Sequence, residues 1–84
     1  MFIAKIKITL RSSILDPQGK AVESSLKSLG FNEVADTRIG KYIELKIDTD
    51  NKAKAGELVE RACKKLLANP IMENYDFEII PGEN

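Results

Sequence analysis

The side chains most used in catalysis are scarce in this 84-residue chain. It contains no histidine, which removes the commonest general base and the commonest metal ligand. Its one cysteine, Cys63, lies among apolar residues at helical spacing, which favours a small buried hydrophobe over a reactive thiol. One cysteine without histidine does not make a zinc site of the usual kind. The residue types therefore favour neither nucleophilic nor metal-assisted chemistry.

Patterns that activate nucleophiles or bind phosphate are also missing. The sequence has no GxGxxG and no Walker A motif, and Gly40-Lys41 is too short to replace them. The carboxylates of Asp48 and Asp50 stand where helix capping explains them. The serines have no base that would activate them in a triad. We therefore expect no catalytic residue, no cofactor-binding residue and no metal ligand in this chain.

Three short polar segments could still bind something. In Asp16–Gly19 the aspartate is more readily a helix cap than a ligand. In Arg38–Lys41 two cations flank a glycine, and the segment either receives an anion or forms a turn with two solvated cations. Asn69–Tyr75 begins with residues that end helices, and its Asn-Pro corner could also dock a partner.

The strands that could position these segments are recognised by apolar and polar residues that alternate with period two. Phe2–Leu10 and Tyr42–Asp48 alternate clearly, and Asn74–Ile80 reads as the last strand. Glu33–Ile39 is a weaker strand with mixed faces. The sequence leaves open whether residues 33–48 form a tight hairpin or one long bent strand. A long bent strand would allow packing against, or exchange with, a second copy of the chain.

The first helix has clear start and stop signals. Asp16 is a good N-cap, Pro17 suits the first helical position, and the helix runs to about Leu29 before Gly30 ends it. Gly19 is a poor helix former in the first turn. It either lets another backbone come close or sits where fraying costs little.

The second helix carries the strongest apolar stripe in the chain. It runs from about Lys52 to Ala68, with Thr49 or Asp50 as its predicted cap. Its apolar residues follow the spacing of a helix packed on a core. They are Leu58, Val59, Ala62, Cys63, Leu66 and Leu67. The stripe predicts that Leu66 is buried.

The element order βαββαβ predicts one α+β domain over residues 1–80, with a frayed tail over 81–84. We expect a two-layer sandwich related to the ferredoxin-like fold, with two helices on one face of an antiparallel sheet. A chain this short buries a marginal core, so we expect it to form a homo-oligomer.

Net charge and hydropathy limit which classes of partner and which cellular location the sequence predicts. Thirteen basic and thirteen acidic side chains cancel, so the chain has no global attraction to nucleic acid or to an anionic membrane. RNA-binding domains of this element order stack bases on aromatic residues, whereas the corresponding face here offers Tyr42 beside the acidic Glu44. No apolar run approaches the roughly 20 residues that span a bilayer. The N-terminus lacks the pattern of a signal peptide, so a cytoplasmic protein is expected.

Short motifs are spread over nearly the whole chain, from Phe2 to Ile80. They are Ile14–Gly19 (ILDPQG), Leu29–Phe31 (LGF), Arg38–Lys41 (RIGK) and Leu66–Pro70 (LLANP), with Glu73 and Tyr75 behind the last. Each motif is weak alone, but their order and spacing resemble the PurS family. This family is the small subunit of phosphoribosylformylglycinamidine synthase (FGAM synthase) in the purine pathway.

The resemblance implies a non-catalytic subunit of a glutamine-dependent ligase. In such an enzyme a large synthetase subunit uses ATP and magnesium, and a glutaminase subunit releases ammonia from glutamine. The small subunit joins the two and aids ammonia transfer, without a cofactor of its own and without activity in isolation. It would form a homodimer or homotetramer. The candidate interface residues are Asp16, Pro17, Gln18, Gly19, Arg38, Gly40, Lys41, Asn69, Pro70, Glu73 and Tyr75.

Two other functions fit the same element order less well. A regulatory module of βαββαβ type would bind a small molecule at a subunit edge through Arg38 and Lys41. A nucleic-acid binder is disfavoured by the net charge and by the open sheet face.

Overall fold

The sheet of the computed structural model is built around its first strand. The structure describes residues 1–82. Strand β1 (Phe2–Leu10) pairs antiparallel with β2 (Gly40–Ile47) on one side and with β3 (Glu73–Pro81) on the other. Helix α1 (Pro17–Ser28) follows β1, and helix α2 (Lys52–Ala62) follows β2. The predicted α+β class with an antiparallel sheet is confirmed.

The segment predicted as a weak second strand does not enter the sheet. Residues 33–39 form a turn and then an irregular stretch that leads directly into β2 at Gly40, so three of the four predicted strands are formed among residues 1–82. The amide of Ile39 donates to the Asp16 side chain at 2.8 Å rather than to a strand. Without a regular apolar face the segment gains little from a sheet. Residues 33–48 therefore form neither a tight hairpin nor one long bent strand, since strand structure is confined to residues 40–47.

The core lies on one face of the sheet, beneath α2. Ile6 has no exposed surface and stands opposite Ile43 on β2 and Phe77 on β3. Helix α2 covers this face with Val59, also fully buried, and with Cys63 just beyond its end. Ile6, Ile43 and Phe77 lie on the same side, because antiparallel partners share a face of the sheet.

The opposite face of the sheet is polar. Lys5 stands between Glu44 and Glu78 in the strand register, so opposite charges are direct neighbours across the sheet. The hydroxyl of Tyr42 donates to the Glu44 carboxylate at 2.8 Å, which raises the pKa of the tyrosine. This face is a charged surface, in keeping with the absence of a base-stacking platform in the sequence.

Helix α1 extends away from the sheet instead of covering it. The molecule measures 49 × 29 × 14 Å, and its radius of gyration is 16.3 Å. A compact chain of this length would have a radius of about 12 Å. Val22, Leu29 and Phe31 on and just after α1 are 40%, 74% and 53% exposed. Two helices were predicted to cover one face of the sheet. Over residues 1–82, α2 covers that face and α1 does not.

The predicted ends of α1 are confirmed. The Asp16 side chain accepts from the Gly19 amide at 2.9 Å, and Pro17 opens the helix. At the other end Gly30 adopts a φ of 97°, which only glycine reaches without strain. The amides of Gly30 and Phe31 then bond back to carbonyls of the last turn at 3.1 and 3.0 Å.

Helix α2 differs from its prediction at both ends. Its cap is Asn51, whose side chain accepts from the amides of Ala53 and Lys54 at 2.9 and 3.2 Å, and not Thr49 or Asp50. Its α-helical hydrogen bonds stop at Ala62, and a π-helical turn follows over Cys63–Leu67.

The π-helical turn overturns the expectation that Leu66 is buried. The amide of Ala68 bonds to the carbonyl of Cys63 at 3.0 Å, five residues back, so the turn holds one residue more than an α-helical turn. The wider turn rotates the side chains after Cys63 relative to the stripe. Leu66 is 82% exposed, whereas Ala68 is buried.

The end of the chain is tied to its beginning. Strand β3 includes Pro81, and the Gly82 amide donates to the Met1 carbonyl at 2.8 Å. The remainder of the predicted tail, residues 83–84, lies outside the described residues. Over residues 1–82 every helix is too short or too polar to cross a bilayer.

Ile6→Ala should lower the free energy of unfolding by about 2–5 kcal/mol, because it opens a cavity at the centre of the core. Leu66→Ala should change it by less than about 0.5 kcal/mol, because the side chain is exposed. Chemical denaturation followed by circular dichroism measures both. Equal losses for the two variants would contradict this assignment of core and surface.

Candidate functional site

The three polar segments singled out in the sequence converge at one end of the sheet. This end is formed by the close of β1 and the starts of β2 and β3. An open depression of about 250 Å³ there is lined by residues of all three segments, among them Asp16, Gln18, Gly40, Lys41 and Glu73. Five of the eleven predicted interface residues therefore line one common surface.

Asp16 is a structural carboxylate at the centre of this end. It is 5% exposed, and its two oxygens accept from the amides of Ile39 at 2.8 Å and Gly19 at 2.9 Å. These hydrogen bonds, with that of Ile39 foremost, lower the pKa of Asp16. The Asp16 side chain thus caps α1, as predicted. It also fixes the stretch before β2, which was not predicted.

Gly19 lies where two backbones pass each other. A Cβ atom at this position would overlap the carbonyl oxygen of Thr37 and would also touch the Asp16 carboxylate. Of the two interpretations of this glycine, the close approach is confirmed. Its neighbours Pro17 and Gln18 are exposed.

Arg38 is bound to the backbone of the loop between β1 and α1. Its guanidinium donates to the carbonyl of Arg11 at 2.9 Å and more weakly to those of Ile14 and Leu10 at 3.4 and 3.5 Å. Arg38 is exposed, as the alternative of two solvated cations expects, but its guanidinium also binds backbone carbonyls, which that alternative did not include. Arg38 thus supports the loop from an exposed position. Replacing it with an acidic residue would place a carboxylate against the carbonyl oxygens that it now binds.

Lys41 also has a partner in this surface. Its ammonium lies 3.5 Å from a carboxylate oxygen of Glu73, which joins the start of β2 to the start of β3 across the end of β1. The Lys41 side chain is 59% exposed, so solvent screens this ion pair. With Arg38 on carbonyls and Lys41 on Glu73, the end of the sheet does not offer two free cations to an anion.

The connection from α2 to β3 is held by its own side chains. Asn69 Oδ1 accepts from the amides of Ile71 and Met72 at 2.9 and 3.3 Å. The Glu73 carboxylate accepts from the Asn69 amide at 2.8 Å, and the Glu73 amide donates back to the Asn69 carbonyl at 2.8 Å. Four hydrogen bonds therefore fix a turn whose apolar side chains Ile71 and Met72 are 78% and 43% exposed.

Arg11 ties this turn to the end of β1, a role that the sequence did not signal. Its guanidinium donates to the Pro70 carbonyl at 2.6 Å, and its amide donates to the Met72 carbonyl at 2.9 Å. A lone cation after a strand has no local pattern that predicts such a contact, because its partner lies 59 residues away.

Tyr75 packs against the hydrophobic core and does not line the depression at the end of the sheet. Its hydroxyl donates to the Glu60 carboxylate on α2 at 2.7 Å, which raises the pKa of Tyr75 to about 12. Cys63 is fully buried, and burial raises the pKa of its thiol, which disfavours the reactive thiolate. Among residues 1–82, histidine, cysteine and acidic side chains form no group of three that could hold a metal ion.

Comparison with known proteins identifies relatives over nearly the whole chain. Residues 3–81 match the family model described as PurS, phosphoribosylformylglycinamidine (FGAM) synthase. The phosphoribosylformylglycinamidine synthase subunit PurS of Synechocystis is 49% identical over 75 residues, which cover 89% of this chain and 75% of the relative.

Solved structures give the same result. PurS of Bacillus subtilis has a TM-score of 0.84 and 45% identity, over 96% of this chain and 100% of the other. A chain in the structure of PurLQS from Thermotoga maritima has a TM-score of 0.86 and 37% identity, over 94% of this chain and 96% of the other.

Gly19→Ala should lower the free energy of unfolding by more than about 1 kcal/mol, because the added methyl group overlaps the Thr37 carbonyl. Gly56→Ala is the matched control, since a Cβ on this α2 residue would meet nothing within 4 Å. It should stabilise by about 0.5–1 kcal/mol through helix propensity. Urea titration separates the two, and a neutral Gly19→Ala would refute the close approach.

Asp16→Asn should lower Tm at pH 7 by several degrees, because an amide nitrogen replaces one of two acceptor oxygens. A carboxylate with a lowered pKa stabilises above its unfolded-state pKa, near 3.8, and that contribution disappears as the pH falls through the folded-state value. The difference between wild type and variant should therefore shrink below about pH 4. Thermal melts from pH 7 to pH 2 test this.

The exposed carboxylate Asp50 supplies the control for this titration. Asp50→Asn should leave Tm at pH 7 near that of the wild type. A difference between wild type and Asp16→Asn that stays constant down to pH 2 would show that the charge of Asp16 does not stabilise the fold.

Proposed function

Because the chain belongs to the PurS family, and so is a subunit of FGAM synthase in purine biosynthesis, we propose that it joins the synthetase and glutaminase subunits and aids ammonia transfer between them. The observation that supports this role most is the match to a chain of the T. maritima PurLQS structure over 94% of this sequence. A subunit that joins others needs surfaces rather than reactive groups. The polar groups at the end of the sheet already bind one another.

The proposed contact surface is the convergent end of the sheet. Its polar groups are tied by hydrogen bonds and an ion pair, so the surface is ordered before a partner arrives and loses little entropy on binding. The proposal assigns contacts to the segments Asp16–Gly19, Arg38–Lys41 and Asn69–Glu73. Tyr75 is not assigned a contact in this proposal, because its hydroxyl binds Glu60 on α2 and so supports the helix.

The chemistry of the reaction belongs to the partners in this proposal. ATP and magnesium would be used by the synthetase subunit, and glutamine by the glutaminase subunit. This chain would bind none of them and would be inactive alone. As part of a biosynthetic enzyme it would act in the cytoplasm.

Self-association is part of the same proposal. Helix α1 leaves Val22 and Leu29 exposed, with Phe31 just beyond it, and the elongated shape gives the helix little cover from its own sheet. A second copy that covers these side chains would supply the burial that a chain of this size lacks. A dimer or a tetramer would do so.

The alternative of a small-molecule regulatory module is less well supported. It depends on Arg38 and Lys41 as receivers of a ligand. In the structure Arg38 binds backbone carbonyls and Lys41 pairs with Glu73. A ligand at this corner would have to share these cations with their present partners.

The isolated chain should show no glutaminase, ATPase or amidine-forming activity. Added to the synthetase and glutaminase subunits of the same organism, it should be required for the glutamine-dependent rate. It should matter less when ammonia is supplied, because the synthetase then takes nitrogen from solution. Steady-state rates with each nitrogen source, with and without the chain, test this. Equal dependence on the chain for both sources would contradict a role in ammonia transfer.

A further inference from the structure

The connection from α2 to β3 exposes three large apolar side chains, Leu66, Ile71 and Met72. They are 82%, 78% and 43% exposed. We infer that these residues, here called the Leu66 patch, bind an apolar pocket bordered by carboxylates on another subunit of the synthase. This inference rests on the proposed function, because Ile71 and Met72 belong to the Asn69–Glu73 segment of the proposed contact surface, and it adds Leu66 and a stated partner chemistry to that surface.

The backbone holds the Leu66 patch in place. The π-helical turn over Cys63–Leu67 puts Leu66 outside the stripe that the rest of α2 follows. Such turns are rare in helices and frequent at functional sites. A regular α-helical turn would have continued the stripe and would have buried this leucine. The sequence thus forms a less common turn whose result is an exposed apolar side chain.

The second half of the patch is equally fixed. Asn69 binds the amides of Ile71 and Met72, and Arg11 binds the carbonyl of Pro70 from the neighbouring strand. These bonds leave the turn few alternative conformations. Its apolar side chains are therefore presented in one arrangement, and binding does not have to order the backbone.

The charges beside Leu66 are mostly positive, and Glu73, which follows Met72, is engaged by the Asn69 amide and by Lys41. Lys64 and Lys65 precede Leu66 directly, and Arg61 lies one helical turn earlier; all three are exposed. Glu60 is the acidic residue on this part of the helix, and its carboxylate accepts from Tyr75 and lies 3.5 Å from Lys64. A partner with carboxylates around an apolar pocket matches this pattern, because complementary charge steers association and fixes orientation.

The same charges argue against a second copy of the chain as the occupant. In a two-fold dimer whose axis passes through the patch, each patch would face its own image. Arg61, Lys64 and Lys65 would then lie near the same three cations of the other copy, and like charges brought together at an interface are strongly unfavourable. The exposed face of α1 carries no such restriction, so self-association and binding of another subunit use different surfaces.

The test measures binding of the full chain to the separately purified synthetase and glutaminase subunits. The double variant Leu66→Ser/Ile71→Ser removes the apolar contact, and Lys64→Glu/Lys65→Glu reverses the charge. Lys52→Glu/Lys54→Glu, at exposed positions in the first turn of α2, is the matched charge control. Each patch variant should raise Kd for one of the two subunits about tenfold or more. The control should bind as the wild type does.

Sedimentation and activity separate the possible outcomes. Unchanged Kd of both patch variants for both subunits would overturn the inference, as would a loss of self-association in these variants. A glutamine-dependent rate that is the same with and without the wild-type chain would instead overturn the proposed function. If the wild type is required and the patch variants restore the full rate at wild-type concentration, the inference alone fails.

Discussion

The convergent end of the sheet depends on the carboxylate of Asp16. Two amides from distant parts of the chain, Gly19 and Ile39, share its two oxygens. Because the chain leading into β2 is bound there, it passes α1 closely enough to require glycine at position 19. One buried carboxylate thus joins the start of α1 to the stretch that enters β2 and fixes the shape of the convergent end.

The local features of the fold were predictable from the sequence because their causes are local. The alternation in Phe2–Leu10 requires no information from elsewhere in the chain, and the predicted bounds of this strand match the structure. Asp16, Pro17 and Gly30 mark the ends of α1 through capping, a fixed φ and a positive φ respectively. Each of these effects acts within a few residues.

What the sequence did not predict depends on contacts between distant residues. The apolar residues before and after Ala62 recur in the sequence at α-helical spacing, so periodicity gives no sign of the π-helical turn that rotates the later ones. The burial of Leu66 was therefore predicted wrongly. The role of Arg38 was missed for a related reason, because its carbonyl acceptors lie 24 to 28 residues earlier in the chain.

The polar groups of the candidate site are engaged by other groups of the same chain, which suits the assembly role proposed for this surface. A catalytic group must keep a free lone pair, proton or charge for its substrate. At the convergent end Asp16 and Arg38 bind backbone groups, and Glu73 binds both a backbone amide and Lys41. Polar groups engaged in this way stabilise a shape and leave little chemistry available. The recognition of partners then falls to exposed side chains that this framework orients, and their apolar character and charge determine which surface can bind.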